Sequence, residues 1–175
     1  MTVWRMAAEK GKLQVLEKVW FWAKVKLTSE EIINNFLLTT NVVGFIALHL
    51  AAWFRKLQML QKVWEFAKEN LSNEDLKIKL LLATNHEWKT AWHVAAEWGN
   101  LEMLEELWYC SKEKLTTEET NNSLLLATNG EGKTVFHLAS EWDKLEVLQK
   151  VWEWAKYTLT KEEINSKLLF GTDNM

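Results

Sequence analysis

Three histidines, His49, His93 and His137, recur at intervals of 44 residues and are the first side chains that could do chemistry. Imidazoles in register can hold a metal ion or move protons if the fold brings them to one point. Arg5 holds the same place one period earlier. The lone cysteine, Cys110, could serve as a nucleophile, but its equivalents in the other periods are Trp22, Phe66 and Trp154. A place otherwise filled by bulky apolar rings is read as core, so Cys110 is expected to be a buried thiol. The carboxylate pairs Glu30-Glu31, Glu118-Glu119 and Glu162-Glu163 have the composition of a general acid–base couple. Each pair lies two and three residues after a Thr, in a first helical turn where negative charge favours the backbone dipole. The chain contains no Gly-rich phosphate loop, no Cys-x-x-Cys and no Ser-His-Asp logic.

The elements that must position the histidines follow the same period. Trp20, Trp64, Trp108 and Trp152 keep the 44-residue spacing, as do Leu27, Leu71, Leu115 and Leu159. A fixed period of this length means stacked units, here about 1–40, 41–84, 85–128 and 129–172, forming one repeat domain. Equivalent residues of stacked units lie roughly 10 Å apart, the spacing of packed helices, which is too far for the histidines to share an ion. They are therefore read as structural. No enzyme activity, metal or cofactor is expected.

Each unit reads as helix, helix, helix, loop. The first helix, such as 90–98, is apolar with Ala95 and Ala96 at its centre. The second, Leu101 to about Lys114, carries Leu101, Leu104, Leu107 and Trp108 as one buried stripe, repeated by Leu57, Leu60, Val63 and Trp64 and by Leu145, Leu148, Val151 and Trp152. The third starts at a capping box, Thr28 with Glu31, Thr116 with Glu119, and Thr160 with Glu163, with Ser72 and Asp75 as a weaker form. It ends in Leu80-Leu81-Leu82 or Leu124-Leu125-Leu126 and a polar loop.

The segments Gly44-Phe45-Ile46-Ala47-Leu48-His49-Leu50-Ala51-Ala52, Lys89-Thr90-Ala91-Trp92-His93-Val94-Ala95-Ala96-Glu97-Trp98-Gly99 and Gly132-Lys133-Thr134-Val135-Phe136-His137-Leu138-Ala139 open three of the units. They resemble the ankyrin repeat motif Gly-x-Thr-Pro-Leu-His-x-Ala-Ala-x-x-Gly over nearly the whole chain. The resemblance implies an all-α, right-handed α-solenoid of four ankyrin-like repeats, each with an extra third helix that accounts for the long period. It also implies that Thr90 with His93, and Thr134 with His137, hydrogen-bond locally and tie each unit to its neighbour. Departures are the missing proline, Ile46 for Thr, Arg55 for a helix-ending glycine and Trp88 for a loop glycine.

Composition bounds the partners. The chain has 175 residues, 48% apolar and 26% charged, with a net charge of -3, which gives no pull toward nucleic acid or anionic membrane. One cysteine allows no intramolecular disulfide and favours a reducing, intracellular and cytoplasmic setting. There is no signal-peptide pattern and no apolar run long enough to span a bilayer. Residues 89–132 hold three Lys against eight Glu, which would disfavour an acidic partner.

The 12 tryptophans divide by place. Those of the second-helix stripe, and Trp4, Trp92 and Phe136 at the motif's usual Leu, are read as core. The two places after Ala-Ala hold Trp53 and Phe54, Glu97 and Trp98, and Glu141 and Trp142. In ankyrin repeats these places face a concave groove, so the resemblance makes them candidate partner contacts. Packing of the rings on one another between units is the competing reading. The loop tips, Val42-Val43 with Phe45, His86-Glu87-Trp88-Lys89, and Gly130-Glu131 with Lys133, differ in every unit, as partner-reading positions would. The expected function is non-enzymatic binding of a protein, with no small-molecule substrate. The alternative is a structural spacer excised from a longer array, because neither end shows the polar substitutions of a terminal cap and residues 171–175 read as the next loop.

Overall fold

A computed structural model describes residues 2–171, and among these the chain is all-helical with no strand. Thr172, assigned to the fourth unit, and all but Gly171 of the loop expected at 171–175 lie outside the described residues. No helix among the described residues is long and apolar enough to cross a membrane.

The first layer consists of α1 (Val3–Lys10), α4 (Ala47–Trp53), α7 (Ala91–Glu97) and α10 (Val135–Glu141), packed side by side in chain order. Close packing follows from size: Ala51, Ala52, Ala95, Ala96 and Ala139 are fully buried, so neighbouring backbones approach with nothing larger than a methyl between them. Each helix stops where a residue takes the left-handed conformation, at Gly11, Arg55, Gly99 and Asp143, and carbonyls of the last turn accept the next amides, as in Lys56 N to Ala51 O at 2.9 Å.

The second layer is α2 (Leu13–Lys26), α5 (Leu57–Asn70), α8 (Leu101–Lys114) and α11 (Leu145–Thr158), each of 14 residues. In α5 and α8 the stripe is buried from its second residue on and also takes in Met59 and Met103, while Leu57 and Leu101 are partly buried against the core. In α11 it needs correction. Val147 and Val151 are buried, whereas Leu145 is 60% and Trp152 38% exposed. Phe136 is likewise only half-buried. A stripe residue is covered by the unit that follows it, and among the described residues no fifth unit lies over α10 and α11.

The third element is a single helical turn, α3 (Ser29–Ile32), α6 (Asn73–Asp75), α9 (Thr117–Thr120) or α12 (Lys161–Glu163), running into a π-helical turn. Reciprocal capping boxes form at Thr28, Thr116 and Thr160, while Ser72 caps the Asp75 amide without a return bond. The expected plain third helix is thus replaced by a widened turn closed by bonds such as Leu82 N to Lys77 O at 2.9 Å. Widening turns two successive leucines inward, so Leu80 and Leu81, and Leu124 and Leu125, are all buried.

The acidic face of α8 also differs from a free solvated surface. Glu105 pairs with Lys150 at 3.0 Å, Glu113 with Lys68 at 3.0 Å, and Glu106 accepts from Gln61 at 3.1 Å. Together with Lys24–Glu69 at 2.9 Å these ties bridge successive units at one sequence offset. Each is worth little alone, about 0–1 kcal/mol, but their common offset fixes the register of stacking.

Candidate functional site

The loops between units share one fold, built by an asparagine. Asn41 Oδ1 accepts from the amides of Val43 and Phe45 at 3.0 and 2.9 Å. Asn85 does the same for Glu87 and Lys89, and Asn129 for Glu131 and Lys133. Gly44, Trp88 and Gly132 then turn through positive φ of 82, 58 and 77°. The loops lie edge to edge. Val43 O accepts from His86 N at 3.1 Å, and Glu87 O from Gly130 N at 3.3 Å.

Each loop is also fastened to the inner helices. His93 Nδ1 meets Thr90 Oγ1 at 2.8 Å, and its Nε2 meets Ala127 O of the next loop region at 3.1 Å. His137 repeats the pattern with Thr134 Oγ1 and Gly171 O. His49 Nε2 meets Lys89 O at 3.0 Å, but Ile46 replaces the threonine and leaves His49 Nδ1 buried without a partner. Burial pushes the His49 and His93 imidazoles down to about 4, outweighing the backbone carbonyls that favour the charged form. These rings are inter-unit ties, with Nε2 committed to backbone oxygen. Among the described residues no group of three His, Cys, Asp or Glu side chains could hold a metal ion.

Lys89 bridges Glu97 at 3.0 Å and Glu87 at 3.1 Å, and Lys133 bridges Glu141 at 3.1 Å and Glu131 at 3.0 Å. Burial works against the Lys89 ammonium, yet its bonds to Glu97 and Glu87 hold it above the ordinary lysine range. Glu97, Lys89 and Glu141, candidate contacts from sequence, therefore sit in loop-to-helix ion pairs. Cys110 is buried, and burial raises its thiol far above the ordinary range, so little thiolate forms at neutral pH.

A groove of about 430 Å³ opens where the loops meet α4. Val43, Phe45, Leu50, Trp53 and Phe54 form its apolar wall, with Asn41, Asn85, His86, Glu87 and Glu9 along its polar side. It unites six of the sequence candidates, Val43, Phe45, Trp53, Phe54, His86 and Glu87. Trp88, Lys89, Glu97, Trp98, Glu141 and Trp142 lie outside its lining. Phe45 departs from the expected exposed loop tip. It is buried, with its ring 5.4 Å from His49 and 5.3 Å from Trp53, because Gly44 turns the chain inward just before it.

The aromatic row combines both sequence readings. Trp53 and Trp98 pack at 4.8 Å and 57°, bridging two units, yet 39% of the first and 46% of the second remain exposed. Trp142 and Trp88 are more exposed still, and among the described residues neither joins a ring pair. Sequence reasoning missed Asn41, Asn85, Leu50 and Glu9. The asparagines carried a signal, since 41, 85 and 129 are 44 apart; Leu50 and Glu9 carried none.

No family model matches the chain. No curated protein matches it either. Its fold does match solved structures. One chain from the crystal structure of the yeast ribosomal protein Rps3 in complex with its chaperone Yar1 superposes with a TM-score of 0.66 at 22% identity, over 85% of this chain and 87% of that one. At that identity the likeness is one of fold.

Proposed function

We propose that the chain is a right-handed solenoid of four ankyrin-type repeats, each lengthened by a capped third turn, that binds a segment of another protein. The observation that carries this reading is the groove at α4, where a concave aromatic wall and unit-specific loop tips meet. Its loops are held by Asn41, Asn85, the Lys89 ion pairs and backbone bonds between neighbours, so a ligand meets a preformed surface and little ordering entropy opposes binding. Trp53 and Phe54, each more than a third exposed, supply the aromatic anchors from which interface hot spots are made. The lining holds two carboxylates and no Lys or Arg, which suits a peptide better than a phosphate backbone. The Thr90–His93 and Thr134–His137 pairs support the ankyrin assignment. A similar fold crystallised with a protein partner is in keeping with protein binding. The reading includes an intracellular setting, which the single buried cysteine favours.

The test compares two immobilised baits, the native chain and a Trp53→Ala/Phe54→Ala variant checked for unchanged helicity, against lysate from the source cells. A partner held by the native bait should lose more than about tenfold in affinity on the variant. Equal capture by both baits, or capture by neither, would place the contacts elsewhere and favour a spacer.

A further inference from the structure

The second-layer aromatics follow a rule of filled cradles. Trp4 and Trp20, with centroids 5.6 Å apart, form a cradle, and Phe66 of the next unit fills it, stacking on Trp20 at 4.1 Å and 10° and lying 5.9 Å from Trp4. Two units later Trp92 and Trp108 form the same cradle at 6.3 Å. Trp154 fills it, at 4.6 Å and 9° from Trp108 and 5.6 Å from Trp92. Both filling rings also sit under a lysine one turn earlier, Lys62 over Phe66 and Lys150 over Trp154.

One cradle and one filling ring are left over. Phe136 and Trp152 stand 6.1 Å apart at 41°, the geometry of the other two cradles, and Trp152 is 38% exposed where Trp20 and Trp108 are 4%. Trp22, at the place of Phe66 and Trp154, is 60% exposed on the outward face of the first unit, flanked by exposed Val25, and Lys18 keeps the place of Lys62 and Lys150. We propose that these two faces dock on each other in two copies of this chain, Trp22 of one filling the Phe136–Trp152 cradle of the next. The internal interface supplies the register. At the offset that pairs Glu105 with Lys150, Lys18 would meet Gln149, and at the offset of Lys24 with Glu69, Lys156 would meet Val25. Neither contact sets like charges together. The contact uses different faces of the two copies and repeats the step between units of one chain, so each copy keeps a free knob or cradle and further copies add in a row.

Sedimentation velocity of the chain, from about 1 to about 300 μM, tests this. Mass should grow with concentration beyond a dimer. Trp22→Glu changes an exposed side chain and should keep native helicity while weakening association by more than about tenfold. Trp152→Ala should do the same from the other face. The two variants mixed in equal amounts should form a dimer and nothing larger, because only one intact knob and one intact cradle remain to meet. A monomer at every concentration overturns the proposal, and so does a dimer that grows no further or that Trp22→Glu leaves unchanged.

Discussion

The second and third units occupy equivalent places in one fold but are held differently. The third has Thr90 against His93, Gly99 at the left-handed end of α7, and a complete capping box at Thr116. The second has Ile46 and an orphaned His49 Nδ1, Arg55 at the same left-handed place with φ 55°, and a half-formed cap at Ser72. Three local devices are present in one unit and absent or incomplete in the other, yet α4 is as deeply buried as α7. Apolar stacking sets the fold, and the polar devices adjust its stability. The less favoured unit is also the one that walls the groove with Phe45, Leu50, Trp53 and Phe54. On the function proposed above these residues serve contact, and local stability is commonly given up at such places.

Acid should have the largest effect, because it strikes a device both units share. His49 and His93 fall from an ordinary 6.5 to about 4 on folding. The unfolded chain therefore takes up protons first as pH drops. Stability is intact above about 6.5 and is lost between 6.5 and about 4, by on the order of 3 kcal/mol for each ring. Urea midpoints measured from pH 7 to pH 4 check this. His93→Gln should flatten the curve by about half, and a curve flat in wild type would mean that the rings are not buried neutral.

A smaller effect separates the units. Thr90→Val removes the shorter of two bonds to His93 Nδ1, leaving the Thr90 amide at 3.3 Å, and with it the hydroxyl that caps the His93 amide. It should cost about 1–2 kcal/mol. Ile46→Thr supplies that hydroxyl to His49 but removes buried apolar surface, so it should stay within about 1 kcal/mol of neutral. Chemical denaturation of both variants decides the matter. Equal losses would mean that the hydroxyl contributes nothing and the comparison between units fails.

Much of this was legible because repetition turns one chain into four aligned readings. The limits of α8 were readable from Leu101 and the Leu115-Thr116 boundary, since a period of stripe and cap residues marks both ends. The π-helical turns were not, because Thr-x-x-Glu reports where a helix starts and says nothing of its later hydrogen-bond register. The stripe pattern puts Trp152 and Leu145 in the core, yet both are exposed, because a stripe records which face is apolar and burial depends on what lies over it. In the groove, Trp53, Phe54, His86 and Glu87 were found by place in the repeat. Phe45 was misplaced because the direction of its side chain depends on the positive φ of Gly44, a backbone property one residue away.

The smallest effect tests the left-handed helix end. A side chain with a Cβ pays roughly 1 kcal/mol or more in that region, while glycine enters it freely at the cost of a looser unfolded chain. Arg55 is exposed and joins no ion pair among the described residues, so its truncation loses little else. Arg55→Gly should therefore stabilise by about 0.5–1 kcal/mol, seen as a rise in melting temperature. Asp143→Gly, at the equivalent place in the fourth unit with φ 53°, should gain less, because aspartate tolerates this conformation better than arginine. If Arg55→Gly gained nothing while Asp143→Gly did, the strain assigned to the second unit would be absent, and its tolerance of weak local devices would need another cause.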